Sequence, residues 1–390
     1  MSALFLYDRL IEAKDICNFV AEIDRLNDHL ERGRCVRLYG RRNFGKTSIV
    51  KNVAAKRWEA RDPSRRVVVY VDFFSIGNLD DISFELTKAF NSAISRKRNL
   101  FERGLDWMRA LKRVRPTWQP PTAEGGFGEF SIRTESGRSV VDFQDVITNI
   151  GNLTREGDLR FLIIFDEFQQ IAAIPKADAK LRESLQTLDN ETPVVVLGCK
   201  QHMLAEIFDR NKAPFASWGT TIELKEIPYD AYHDYIATRL RTVGKSIDIE
   251  ASRHLQNLMD RIPESINRLC DFLADLPEVT RIDNVNIDNG LTTLLDQTLS
   301  IYSQRYVKFT ARQRLVLCAL ARRHYTSSVL AADFVNEVQQ LSKSGIEKIV
   351  ARMLDDSVVE RIAGPDGELA YVISDPLFRI YIHRYKILLD

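Results

Sequence analysis

The sequence predicts an α/β chain: a parallel, doubly wound sheet, then an all-helical segment, then a winged helix. Three observations carry this. GRRNFGKT, Gly40 to Thr47, stands between the apolar Cys35 to Tyr39 and the amphipathic Ser48 to Trp58. Leu162-Ile163-Ile164-Phe165-Asp166-Glu167 is a bulky apolar run that ends in two acids. Valine-rich runs alternate with helical segments as far as Pro228, after which the apolar spacing is helical.

The glycine-rich stretch has the strand–loop–helix setting of a phosphate-binding loop, which weighs against a mere surface turn rich in Gly and Arg. Gly40 and Gly45 let backbone N–H groups curl around phosphates, Lys46 reaches the terminal phosphates, and the Thr47 hydroxyl holds magnesium. Arg41, Arg42, Asn43, Phe44 and Ser48 complete the nucleotide-binding set. ATP and Mg2+ are therefore the expected cofactors, and the chain reads as a P-loop NTPase. An apolar run ending in acids is weak on its own, because acids commonly cap the next helix. Paired with the loop, it places Asp166 to hold the magnesium, directly or through water, and Glu167 as the general base, at the carboxyl end of a buried strand, where open sheets bind ligands. Lys46 and Glu167 are the expected catalytic residues.

Further strands are read at Arg66 to Phe74, Pro193 to Gly198 and Thr220 to Ile227. Helices are read at Asp230 to Arg241, Asp248 to Met259, Pro263 to Leu276 and about Asn284 to Tyr306. At the end, Thr310 caps a helix running to Arg323, a second covers Ala331 to Gln339, and a third is opened by Ser342 or Ser344. Strands Val358 to Ile362 and Leu369 to Ile373, joined by Gly364-Pro365-Asp366-Gly367, make a hairpin wing. The expected domains are an ATPase domain at 1–228 with a basic insertion at about 96–140, a helical lid at 229–306 and a winged helix at 307–390.

With 390 residues and 45% hydrophobic content, the chain can fill two or three cores. A net charge of +1 argues neither for a globally basic nucleic-acid binder nor for an acidic one, so charged partners must be met by local patches. There is no membrane-length apolar run and no signal segment, which predicts a cytoplasmic protein without a membrane partner. Cys17, Cys35, Cys199, Cys270 and Cys318 are odd in number and never in a CxxC pair, and the histidines are scattered. Neither a disulfide framework nor a zinc site is suggested.

The chain resembles the archaeal-type ATPases of prokaryotes, relatives of the AAA+ and STAND NTPases and of archaeal origin-recognition initiators. The resemblance rests on Phe19 to Leu26, which is similar to the family's FxGRexEL box, and on the GRRNFGKTS loop and the FDEFQ strand end at Phe165 to Gln169. It also rests on Leu197-Gly198-Cys199-Lys200 and on the DPLFR ending, Asp375 to Arg379. PESINRLCD, Pro263 to Asp271, is similar to the PRxINxLCD lid helix of transposition and secretion ATPases, which adds Pro263 to the nucleotide-binding set.

Departures from these patterns bear on turnover. Gly198-Cys199 stands where the family has Gly-Ser, so the polar group that senses the γ-phosphate is either lost, with Cys199 in its place, or supplied by Lys200. Trp218 replaces the arginine of PLYGR, and Glu264 replaces a lid arginine, so Arg210, Arg261 and Arg268 are the remaining candidate cations. Since an arginine finger is worth about a thousand-fold or more in rate, slow or partner-stimulated hydrolysis is expected.

From Arg96 to Arg115, eight cations face two acids, with Phe101, Trp107 and Trp118 interleaved and GGFGEFSIRTES following as a hairpin. Arg109, Lys112, Arg113 and Arg115 are candidate contacts to nucleic acid. A solvated helix packed on the body explains the same pattern. Residues 305–390 hold thirteen Lys and Arg against ten Asp and Glu, only +3, and on the third helix Glu347 and Asp355 offset Lys348 and Arg352. The wing, Arg322, Arg323, Arg379 and Arg384 are the remaining candidates there for contact with a duplex, and protein docking or autoinhibition is the other reading of this domain.

Two functions stay open. One is an ATPase whose nucleotide state is coupled to DNA association, in a mobile-element, replication or antiviral-defence setting, with nucleotide-dependent homo-oligomers. The other is a STAND-like nucleotide-gated switch acting on a protein partner encoded nearby.

Overall fold

The computed structural model describes residues 4–96, 115–119, 129–133, 142–156, 159–199, 207–208, 213–277, 279–364 and 367–387, with backbone alone at 115–119 and 129–133. By contact the chain falls into two units. One comprises Glu12–Arg41 and Gly45–Lys225; the other comprises Met1–Ile11, Arg42–Phe44 and Glu226–Asp390.

The first unit carries seven strands among its described residues. In chain order they are β1 (Val36–Gly40), β2 (Arg66–Asp72), β3 (Arg115–Gln119), β4 (Glu129–Arg133), β5 (Arg160–Asp166), β6 (Val194–Gly198) and β7 (Thr220–Leu224). Five form one parallel sheet in the order β2-β5-β6-β1-β7. The loop strand β1 is thus separated from the acid-bearing β5 by β6. Phe161 to Asp166 of β5 and all of β6 are buried, as expected of central strands covered on both faces.

The β3–β4 pair is antiparallel. This corrects the hairpin expected within GGFGEFSIRTES, since Glu129–Arg133 pairs with the upstream Arg115–Gln119 instead of folding on its own stretch. After the phosphate loop the chain winds as a wide helix over Ser48–Ala55 and as an α-helix over Lys56–Ala60.

Trp218 is 7% exposed and lies in an aromatic cluster. Its ring meets Phe215 edge-on at 5.5 Å and stacks on Phe208 at 6.1 Å, and Phe215 meets Phe168 edge-on at 5.5 Å. The residue standing in the arginine's place is a core residue.

In the second unit, helices Tyr229–Thr242, Ile249–Leu258, Pro263–Ala274 and Asn284–Val307 follow one another. They are not wholly helical company: β8 (Ser246–Ile247) pairs with β9 (Arg281–Ile282) in parallel, joining two interhelix segments that periodicity treats as loops. Lys245 adds to this junction by donating to the carbonyls of Leu276 and Val279. The terminal part has helices Ala311–Arg323, Ala332–Glu337 and Lys343–Asp355, then β10 (Val359–Ala363) antiparallel to β11 (Leu369–Ile373). Thr310 caps the first helix through a capping box, and Ser342 caps the third by accepting from Gly345 N at 3.2 Å. Gly367, at φ +82, closes the wing turn in a conformation that L side chains rarely adopt. A last α-helix, Pro376–Ile382, follows the wing and continues as a wide helix over His383–Ile387.

Among the described residues, no helix is long and apolar enough to cross a membrane.

Candidate nucleotide site

The carboxyl end of β1 runs into the loop at Gly40, where a Cβ would come within 2.9 Å of the Leu224 carbonyl oxygen on the neighbouring β7. Gly45 has φ +78, and Asn43 also has a positive φ. The glycines are therefore required by packing at Gly40 and by backbone conformation at Gly45.

Lys46 is 7% exposed, and its ammonium donates to the carbonyls of Gly40 at 2.9 Å and Arg41 at 2.8 Å. The charge is thereby held over the loop's own backbone, and it can exchange those carbonyls for phosphate oxygens. Ser48, also buried, opens the following helix, whose N-terminal end favours anions.

Thr47 donates from Oγ1 to Asp166 Oδ2 at 2.7 Å, across 119 positions of sequence. This contact joins the two motifs. A hydroxyl and a carboxylate oxygen this close form a hard-oxygen pair of the kind that suits Mg2+, which commonly takes one or two protein oxygens and fills its remaining positions with phosphate and water. The residues present fit magnesium accompanying a nucleotide.

Asp166 is 5% exposed, and its Oδ1 accepts from the backbone N–H of Glu167 at 2.8 Å. A third donor is one that sequence reading missed. Tyr70, on β2, donates its hydroxyl to Asp166 Oδ2 at 2.7 Å. Burial, and then the adjacent Asp166 charge, push this phenol well above its ordinary pKa, so it stays a donor. The only sequence signal was a tyrosine in a valine run.

Glu167 occupies the left-handed region at φ 50, which is costly for a residue with a side chain. Its anchors are neighbours. Phe168 is fully buried in the aromatic cluster, and Gln169, also fully buried, donates its amide to Glu167 Oε2. Cys199, at the end of β6, lies with Sγ 3.7 Å from the same oxygen and 3.7 Å from the Gln169 amide. Cys199 therefore comes together with Glu167, while Lys200 and Arg210 lie outside the described residues. So do Arg109, Lys112 and Arg113, and the Arg115 side chain.

Pro263, Arg261 and Arg268 belong to the second unit. Pro263 opens its helix at the first position, where a missing N–H costs nothing. Arg261 donates to the Glu226 carboxylate and to Ile227 O at 2.5 Å, with its guanidinium 4.2 Å from the Tyr229 ring centroid. Glu264 is held above the usual carboxylate range by burial and by the charge of Asp375. Positive charge from Arg268 opposes that rise. Two other residues of this helix hold the segment at Phe5 and Leu6: Asn267 donates to Leu6 O at 2.9 Å, and Asp271 accepts from Phe5 N at 3.1 Å.

The DPLFR ending is likewise structural within this unit. Asp375 caps the last helix and pairs with Arg305 at 2.7 Å, while Arg379 reaches Asp260 at 3.1 Å. The remaining candidate cations of the winged helix are engaged too. Arg322 and Arg323 pair with Glu337, Arg323 also pairs with Asp333, and Arg384 donates to Thr292 Oγ1 at 2.5 Å.

Strand order and terminal domain together define the fold of P-loop AAA+ ATPases, with a winged helix at the carboxyl end. A family model described as "Probable winged helix domain" matches residues 300–384. Among solved structures, the chain is similar to a Walker-type ATPase of Pyrococcus abyssi, at 14% identity and TM-score 0.62, with 97% of this chain and 99% of that one covered. It is also similar to the Aeropyrum pernix ORC1 protein in complex with DNA, at 12% identity and TM-score 0.53, covering 99% and 97%. The ORC2 protein of the same organism, in ADPNP and ADP complexes, gives 13% identity and TM-score 0.51, covering 100% and 98%. At these identities the likeness is one of fold. Comparison with curated protein sequences gave no match.

Proposed function

We propose that this chain is a magnesium-dependent ATPase whose nucleotide state governs its association with nucleic acid. The observation that carries the first half is the Thr47–Asp166 contact, which brings the loop hydroxyl and the strand-end carboxylate together beside Lys46 and Glu167. ATP with Mg2+, when bound, supplies the phosphoanhydride to be cleaved and neutralises its oxygens. Lys46 trades loop carbonyls for phosphate charge, Thr47 and Asp166 hold the metal, and Glu167 takes the proton of the attacking water. The reading keeps an ATPase domain at 1–228, a lid at 229–306 and a winged helix at 307–390.

For the second half, support comes from the neighbour solved in complex with DNA and from the basic run Arg109, Lys112, Arg113 and Arg115. A different observation favours a protein-directed switch. Arg322, Arg323, Arg379 and Arg384 of the winged helix are engaged by the chain's own side chains, leaving them poor phosphate contacts.

The test is ATP hydrolysis and DNA anisotropy on the same protein, over a range of salt. Neutralising the four insertion cations should lower the salt slope by almost one unit per lost contact while sparing ATP binding. No salt-dependent binding by the wild type would leave the protein-directed switch as the better reading.

A further inference from the structure

The strand β2 runs beside β5 in parallel register, Tyr70 opposite Ile164 and Asp72 opposite Asp166. Along β2 the side chains alternate. Val67, Val69 and Val71 are buried in the core, while Val68, Tyr70 and Asp72 share the other face. Tyr70 lies two residues short of the strand end, and its phenol is long enough to cross from there to the Asp166 carboxylate. A serine or threonine at that position would fall short, and a phenylalanine would arrive with nothing to donate. The ring itself is held under the Lys51 ammonium, 4.3 Å from its centroid.

Counting donors on Asp166 shows what the hydroxyl adds. Oδ1 accepts from the Glu167 N–H at 2.8 Å, and Oδ2 accepts from both Thr47 Oγ1 and Tyr70 OH at 2.7 Å. A carboxylate oxygen has about two lone-pair sites, so Oδ2 is satisfied on both. Thr47 belongs to the phosphate loop and the Glu167 amide to the strand end. Tyr70 is the one of the three donors fixed to a neighbouring sheet strand.

We propose that Tyr70 is a positioning residue for the divalent cation that accompanies ATP, acting through Asp166 by fixing the carboxylate toward Thr47. It touches neither nucleotide nor metal on this reading; it sets the orientation of a ligand, as outer-shell partners of metal carboxylates do. The inference rests on the ATP reading above, and the experiment separates the two.

Binding of a fluorescent ATP analogue is titrated by anisotropy over graded Mg2+ and in EDTA, in the Glu167→Gln background so that hydrolysis plays no part. Tyr70→Phe keeps the ring, its packing and its place beneath Lys51. It should raise the half-saturating Mg2+ concentration about tenfold. Affinity in EDTA should stay within about twofold, as expected for a loss confined to the metal ligand. In an Asp166→Asn background, the same substitution should add nothing further, because its effect passes through that carboxylate.

An unchanged Mg2+ requirement overturns the proposal, as does an equal loss of affinity in EDTA, which would make the hydroxyl a prop for the loop. A full additive effect on top of Asp166→Asn overturns it as well. If the protein binds no nucleotide in either medium, the ATP reading falls and this one with it.

Discussion

Gln169, two positions beyond Glu167, turns its buried side-chain amide back onto the Glu167 carboxylate. The expected base is thus a tethered group, held in a left-handed turn by a fully buried amide with the Cys199 thiol at 3.7 Å. A base must sit within hydrogen-bond reach of the water it activates, so what holds it matters as much as its identity.

Gln169→Leu should accordingly lower kcat by about tenfold or more while ATP affinity stays within about twofold, since only the placement of the base is lost. Single-turnover hydrolysis alongside equilibrium binding measures both quantities. A parallel loss of affinity would assign Gln169 to the fold of the loop region.

The motifs have separable duties. Lys46→Ala should abolish ATP binding, whereas Glu167→Gln should bind normally and cease to hydrolyse. Isothermal titration with ATP and Mg2+, followed by a phosphate-release assay, distinguishes them. Equal loss of affinity in both variants would remove Glu167 from the role of base.

Trp218, where the resembling family has an arginine, is packed against Phe208 and Phe215. With no arginine there, the purified chain should turn over slowly, on the order of 10⁻³ to 10⁻² per second, until a partner or nucleic acid adds a cation. Trp218→Arg should not restore rate. It should destabilise by about 3 kcal/mol or more, because it trades an aromatic core residue for a buried charge. Rapid turnover independent of protein concentration would show that a cation is already supplied within the chain.

Asp260 and Arg379 are buried and paired at 3.1 Å, and His324 Nε2 shares the same Asp260 oxygen at 2.6 Å. Arg379→Met should destabilise the chain by about 3 kcal/mol, because it leaves a buried carboxylate with one partner fewer. Asp260→Asn added to it should recover part of that loss. Thermal melts of the two single variants and the double variant test this, and simple additivity would mean that the pair is not coupled.

The sequence by itself determined the sheet class, the loop, the acid pair and the capped helices of the winged helix. These depend on residues near one another in the chain: glycines where φ must be positive, apolar runs where a strand is covered on both faces, and a hydroxyl or carboxylate three residues before the N–H it caps.

The tertiary structure decided which groups meet around Asp166 and Glu167. Tyr70 reaches Asp166 across 96 positions and Cys199 reaches Glu167 across 32, distances over which no periodicity reports. It also showed that Asp375 and Arg379 of the DPLFR ending pair with Arg305 and Asp260, and that Trp218 is core. A side chain's type states what it can donate or accept. Only packing, by removing water and choosing the partner, decides where that capacity is used.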